Sequence, residues 1–219
     1  QDISPDGKTI TLHLRKNVKF HDGTDFNSEA VKYNVERTVA EKVPGSAAFT
    51  NVISIGTPDA NTIVFTLEKY DYAFLLRLAQ GFLIASPTAL RKETTPENMA
   101  KDHLVGTGPF KFDSWSVEQY AKFTKFEDYW QDGRPYCDTV EVRTTPDITV
   151  AIMSFKAGEV HFVDVLDPAD ASALRGEGFQ VVEAPLYFVH YLVPDSANPG
   201  SPFADQKVRE ALEYALNKE

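Results

Sequence analysis

A single cysteine, Cys137, stands among 219 residues. An intrachain disulfide framework and a multi-cysteine zinc site are therefore excluded. Long apolar runs are missing too. The longest spans five residues, Tyr72 to Leu76, against the roughly 20 needed to cross a bilayer as a helix. Basic residues are the minority: 22 Lys and Arg face 32 Asp and Glu, a formal net charge of −10. A nucleic-acid binder needs a cationic face to displace counterions from phosphates, so that class is set aside. The Gly-x-Ser-x-Gly elbow, the His-Glu-x-x-His helix and the Gly-x-x-x-x-Gly-Lys phosphate loop are all absent. What is present is an ordinary globular composition, 42% hydrophobic and 25% charged. It excludes a disordered or collagen-like polymer and suffices for one large domain or two modest ones.

Ile10, Leu12 and Leu14 alternate with Thr9, Thr11, His13 and Arg15, the period of a half-buried strand. Turn chemistry brackets this region, at Ser4-Pro5-Asp6-Gly7-Lys8 and at His21-Asp22-Gly23-Thr24. Asn27 is placed to cap a helix carrying Val31, Val35 and Val39 on one stripe, which Pro44-Gly45 is expected to end. A hairpin follows around Pro58-Asp59-Ala60-Asn61, between Val52, Ile53, Ile55 and Ile63, Phe65, Leu67. Residues 71–80 read as a helix with Tyr72, Leu75, Leu76 and Ala79 at helical spacing, then 81–87 as a short strand and a helix from Thr88.

The polar stretch 92–101 is the expected internal boundary. Beyond it, Gly106-Thr107-Gly108-Pro109 opens a strand over 110–115, paired with 120–126 and followed by another at 139–143. Pro146-Asp147 is expected to start a helix, Asp167 and Asp205 are placed to cap two more, and strands are expected at 160–165, 179–183 and 186–193. The mixture has no fixed repeat, so the fold class is α/β, mixed α+β.

The catalytic inventory is thin. Gly106-Thr107-Gly108 begins like a dinucleotide fingerprint, but Lys111 stands where the third glycine belongs and a strand follows. The histidines at 13, 21, 103, 161 and 190 lack ligand spacing, and His161 with Asp164 is the nearest thing to a pair. Glu127, Asp128, Asp164, Asp167 and Asp170 read as helix caps and a solvated face. Cys137 has only Arg134 nearby to lower its pKa and is expected to be a buried or half-buried structural thiol. No catalytic residue, metal ligand or cofactor is assigned. Aromatics are more telling, at 12% of the chain and often beside polar groups. Trp115, Tyr129 and Trp130 are expected in core or hairpin packing. Tyr187 and Tyr191 share one strand face, either a cleft wall or core.

Four ordered landmarks carry a resemblance. They are the segment from Leu14 through His21-Asp22-Gly23-Thr24 to Val31, the turn Val105-Gly106-Thr107-Gly108-Pro109-Phe110, the stretch Asp128-Tyr129-Trp130 with Gly133-Arg134-Pro135, and the helix Val208-Arg209-Glu210-Ala211-Leu212-Glu213-Tyr214-Ala215-Leu216. Together they resemble the bacterial extracellular solute-binding proteins of family 5, the dipeptide-, oligopeptide- and nickel-binding components of ABC importers. The chain departs from that pattern at Gly158-Glu159-Val160-His161, where His161 replaces a frequent Asp.

The resemblance implies a periplasmic binding protein-like type II fold, present in part, from a longer two-lobed protein that closes on its ligand. Residues 1–100 would form the extra subdomain of the first lobe, 101–185 part of its sheet domain, and 186–219 the crossing to the second lobe. The implied function is capture of a solute, peptide-like in the first instance, and its delivery to ABC permease subunits in the membrane. The implied location is periplasmic or extracellular, with a lipid anchor one form of the full-length protein. Phe82, Leu83 and Tyr187 are the positions expected to face the ligand, as stacking or walling groups. Two other classes compete: a secreted hydrolytic enzyme, which would need a convergent acid–base pair, and a sensory or chaperone-like relative working without a permease.

Overall fold

Ile10 and Leu12 alternate with threonines, and this pattern forms strand β2 (Thr9–His13), with β1 (Asp2–Ile3) paired antiparallel on one side. The computed structural model describes residues 1–43, 45–93, 95, 98–165, 167–183 and 192–216. The hairpin is β3 (Val52–Asp59) and β4 (Thr62–Leu67). Its second strand inserts beside β2 with Ile10 opposite Phe65 and Leu12 opposite Ile63, giving the sheet order β1-β2-β4-β3. Strand pairing breaks register twice along β3, between Val52 and Ser54 and between Gly56 and Asp59. In β4 the alternation is complete, with Ile63, Phe65 and Leu67 buried between half-buried threonines and a valine.

One helix covers that buried face. Asn27 caps α1 (Ser28–Ala40) by accepting the Ala30 N–H, and Glu29 sits in the positive first turn. Val31 and Val35 join Ile10, Ile63, Phe65 and Leu67 in the core, but Val39 is 48% exposed. The stripe stops short because the helix ends at Ala40, where Lys42 takes a left-handed φ of 51°, rather than at Pro44-Gly45. Pro44 lies outside the described residues.

The core is completed by rings. Phe74, at the start of α2 (Phe74–Gly81), meets edge to face both Phe65 and Phe49, the latter on a 3-10 turn over Ser46–Phe49. Helix α2 starts three residues later than the spacing implied, because Asp71 accepts the Ala73 N–H and holds a turn there. Phe74 thereby becomes the buried residue, and Tyr72 and Leu76 face solvent. Residues 82–85 form no strand, and Ser86 caps the short α3 (Pro87–Leu90) through the Ala89 N–H. Within the expected boundary stretch, α4 (Met99–His103) forms.

A second sheet follows, in the order β5 (Phe110–Ser116), β6 (Tyr120–Lys125), β7 (Thr139–Arg143), all antiparallel. Trp115 is exposed rather than packed in a core, and so is Cys137, which sits in the loop between β6 and β7. Asp147 caps α5 (Ile148–Lys156), closed by Gly158 at φ 75°.

The chain separates into two compact units, Gln1–His161 and Phe162–Glu219. In the second unit, Asp167 caps α6 (Pro168–Gly176) and Asp205 caps α7 (Gln206–Ala215). The expected strands at 160–165 and 179–183 are irregular chain, since neither has a strand partner among the described residues. The strand expected over 186–193 falls mostly outside the described residues.

Gly7 illustrates how local chemistry and packing reinforce each other. Its φ is +69°, and a Cβ there would run into the Tyr70 ring. Gly7→Ala should therefore cost roughly 1–2 kcal/mol from the left-handed backbone alone. Urea denaturation of Gly7→Ala in a Tyr70→Ala background separates the two contributions. The double mutant should recover only the steric part.

Candidate functional site

The segment 82–86 crosses the edge of the first core and is fastened at both ends. At one end, Phe82 is half-buried, its ring 4.9 Å from Phe49 in an edge-to-face contact. At the other end stands Asn34, a polar residue only 4% exposed on the core side of α1. Its Nδ2 donates to the Ala85 carbonyl at 2.8 Å and to the Ala30 carbonyl at 2.9 Å. Its Oδ1 accepts the Ala85 N–H at 3.1 Å. The amide thus pairs with both main-chain groups of Ala85, as a neighbouring strand would. Between these fixed points Leu83 is left 91% exposed.

The turn 20–24 locks the far end. Ser86 Oγ donates to Asp22 Oδ2 at 2.5 Å, and Thr24 Oγ1 donates to Asp22 Oδ1 at 2.6 Å. Burial pushes the Asp22 carboxyl up, but the Ser86 hydroxyl, then the Thr24 hydroxyl and N–H, outweigh it and hold the group below the usual carboxylate range. A lowered pKa in the folded state means that this contribution is present at neutral pH. It disappears as pH falls through the folded value. The same turn reaches the entry to β5: the His21 N–H donates to the Gly106 carbonyl, and Ser86 N–H to the Val105 carbonyl. The four landmark residues His21-Asp22-Gly23-Thr24 are therefore a junction, tying 82–86 and the turn 106–109 to the first sheet's subdomain.

Beside the junction runs an open groove of about 700 Å³, lined by Arg15, Lys16, Lys19, Asp128, Trp130 and Asp132 among others. The Arg15 guanidinium lies 4.0 Å from the Trp130 ring centre, and Trp130 leans on Tyr129 at 5.2 Å. The aromatic landmark thus stacks against the first one. It is a structural contact.

Phe82 and Leu83 belong to one braced segment, and Tyr187 lies outside the described residues. His161 and Asp164 join no group of three or more metal-ligating side chains among the described residues. Sequence reasoning missed Asn34, Ser86 and His21 as positioning groups. For Asn34 the signal was available: it falls between Val31 and Val35 in a helix whose buried positions are 28, 30, 31, 34, 35 and 38. A polar side chain in a core register needs a partner.

The profile of the bacterial extracellular solute-binding proteins, family 5, matches residues 1–219. The chain belongs to this family. It is 33% identical over 220 residues to the glutathione-binding protein GsiB of Shigella flexneri, which covers 99% of this chain and 42% of that protein. Among solved structures, NikZ from Campylobacter jejuni, in complex with Ni(L-His), superposes with a TM-score of 0.79 at 26% identity, over 99% of this chain and 43% of NikZ. AgaA of A. tumefaciens R10, in complex with agropinic acid, is 34% identical with a TM-score of 0.68, over 80% of this chain and 35% of AgaA.

The chain therefore spans less than half the length of its family 5 relatives. The fold is that of a periplasmic binding protein in part, mixed α/β. These relatives are solute-binding proteins rather than enzymes, and no helix among the described residues is long and apolar enough to cross a membrane.

Proposed function

We propose that this chain is part of an extracytoplasmic substrate-binding protein that captures a peptide-like solute and hands it to the permease subunits of an ABC importer. The observation that carries the reading is the family match along the whole chain. Support for a peptide-like ligand comes from GsiB, whose glutathione is a tripeptide and whose identity of 33% extends over 99% of the chain. The lobe assignment follows the same reading. Residues 1–100 are the extra subdomain, 101–185 part of the first-lobe sheet domain, and 186–219 the crossing to the second lobe. In its favour, β1 to β4 all precede residue 100 and β5 to β7 all follow it. Phe82, Leu83 and Tyr187 are proposed to wall the ligand cleft, with Leu83 the exposed contact and Phe82 the half-buried brace behind it. The location is the periplasm or cell exterior, with a lipid anchor as one form of attachment.

The test is thermal unfolding of the protein extended to the full length of its relatives, in the presence of glutathione, di- and oligopeptides, and Ni(L-His). A peptide at 100 times its Kd should add about 2.7 kcal/mol to the stability. Stabilisation by Ni(L-His) alone, with none from any peptide, overturns the peptide-like reading. Leu83→Ser in that protein should weaken peptide binding roughly tenfold, the worth of one apolar side chain's burial. Its stability should change by less than about 0.5 kcal/mol, because the side chain touches solvent. Titration calorimetry and urea denaturation read the two quantities separately.

A further inference from the structure

The His21 ring makes two contacts with one short stretch of backbone. Its Nε2 lies 3.0 Å from the Gly108 carbonyl oxygen, and the Gly106 N–H approaches Nδ1 at 3.3 Å. A carbonyl only accepts and an amide N–H only donates. One protonation state satisfies both contacts: the neutral ring with its proton on Nε2. The main chain repeats the tie, through the His21 N–H to the Gly106 carbonyl at 2.9 Å. The Phe126 ring meets the imidazole edge to face at 5.0 Å and limits its access to water.

We propose that His21 is a proton-operated latch on the turn 106–109: neutral, it staples Gly106 and Gly108, and protonated, it releases the Gly106 N–H. A proton on Nδ1 points a donor at a donor. The Leu104 carbonyl, two residues back along the same backbone, favours the charged ring. The latch thus has two states, one in which the ring accepts the Gly106 N–H and one in which it cannot, which is what a switch requires.

The balance between them is set locally. Burial disfavours the charged ring most, while the Gly108 carbonyl favours it. Of the charged groups, the Lys111 ammonium on β5 opposes protonation and the Asp22 carboxylate in the same turn supports it. The sum holds His21 below its ordinary value. A folded-state pKa lowered in this way makes the latch complete above the ordinary histidine value of about 6.5. It is lost as pH falls through the folded value. Because Ser86 N–H donates to the neighbouring Val105 carbonyl, release loosens the joint between the turn 106–109 and the segment 82–86. The latch stands independently of which solute is bound.

NMR on the 219-residue chain between about pH 7.5 and 4.5 brackets the ordinary histidine value. It follows the His21 ring-carbon proton shifts and the Gly106 amide exchange, corrected for the intrinsic rate. The expected result is a His21 midpoint below its ordinary value, with Gly106 protection falling roughly three- to tenfold across that midpoint, the worth of one hydrogen bond. In His21→Asn, Oδ1 accepts in place of Nδ1 and does not titrate, so Gly106 protection should stay flat with pH. An ordinary or raised midpoint, or Gly106 protection in the unsubstituted chain that ignores pH, overturns the latch. Should the variant not fold, the unsubstituted titration decides alone.

Discussion

Phe74→Ala should destabilise the chain by roughly 3–5 kcal/mol, the range for removing a fully buried ring from a core that cannot collapse around the space. Phe74 is 0% exposed and meets the Phe65 ring at 5.3 Å and the Phe49 ring at 6.4 Å, both edge to face. Those neighbours are held from other directions, Phe65 by its place in β4 opposite Ile10 and Phe49 by its contact with Phe82. None is free to move into the vacated volume without giving up its own packing. Urea denaturation gives the loss from the shift in midpoint at unchanged slope. Tyr72→Ala, two residues away on an 86% exposed ring, is the control and should stay within about 0.5 kcal/mol. Equal effects at the two positions would mean that α2 is rotated from the register described.

Asn34→Leu is expected to cost about 2–4 kcal/mol, although the substitution places an apolar side chain of similar volume in a buried position. The reason is that two main-chain groups of Ala85 lose their partner together. The Ala85 N–H and C=O both pair with the Asn34 amide, and each buried group left unpaired costs roughly 1–3 kcal/mol. The Ala30 carbonyl also loses the amide, but its place inside α1 gives it a helical partner as well. Hydrogen exchange at Ala85 should rise more than exchange in the middle of α1, because the segment 82–86 loses its anchor while the helix keeps its own bonds. A stability change under about 0.5 kcal/mol, with Ala85 protection intact, would mean that another group brackets this segment.

The elements that were legible in the sequence are those whose determinants lie within a few residues. The period-two pattern of β2 and β4, the hairpin between β3 and β4, the helix start at Pro146-Asp147 and the caps Asn27, Asp167 and Asp205 are local chemistry, and the structure carries them. The segments misread as strands show the limit. Residues 81–87, 160–165 and 179–183 are stretches of strand length rich in apolar or β-branched side chains. A strand needs a partner, however, and no local pattern states whether one is there. Helix α2 was found, but the Asp71 turn delays its start: Phe74 is the buried residue, Leu75 of the expected face packs against the core, and Tyr72 and Leu76 do not.

By itself, then, the sequence determined the class of fold, the caps and hairpins, and, through four ordered landmarks, the family. Each of those rests on residue identity or on spacing within one element. Only the tertiary structure decided why the landmark residues are what they are. His21 and Asp22 act on Gly106, Gly108 and Ser86, partners 64 to 87 positions away in the chain. Asn34 acts on Ala85 across 51 positions. Hydrogen bonds of that separation depend on how helices and turns pack, and no periodicity records them. The lone cysteine shows the same division: its count excluded a disulfide framework at once, but its exposed position was settled by the fold.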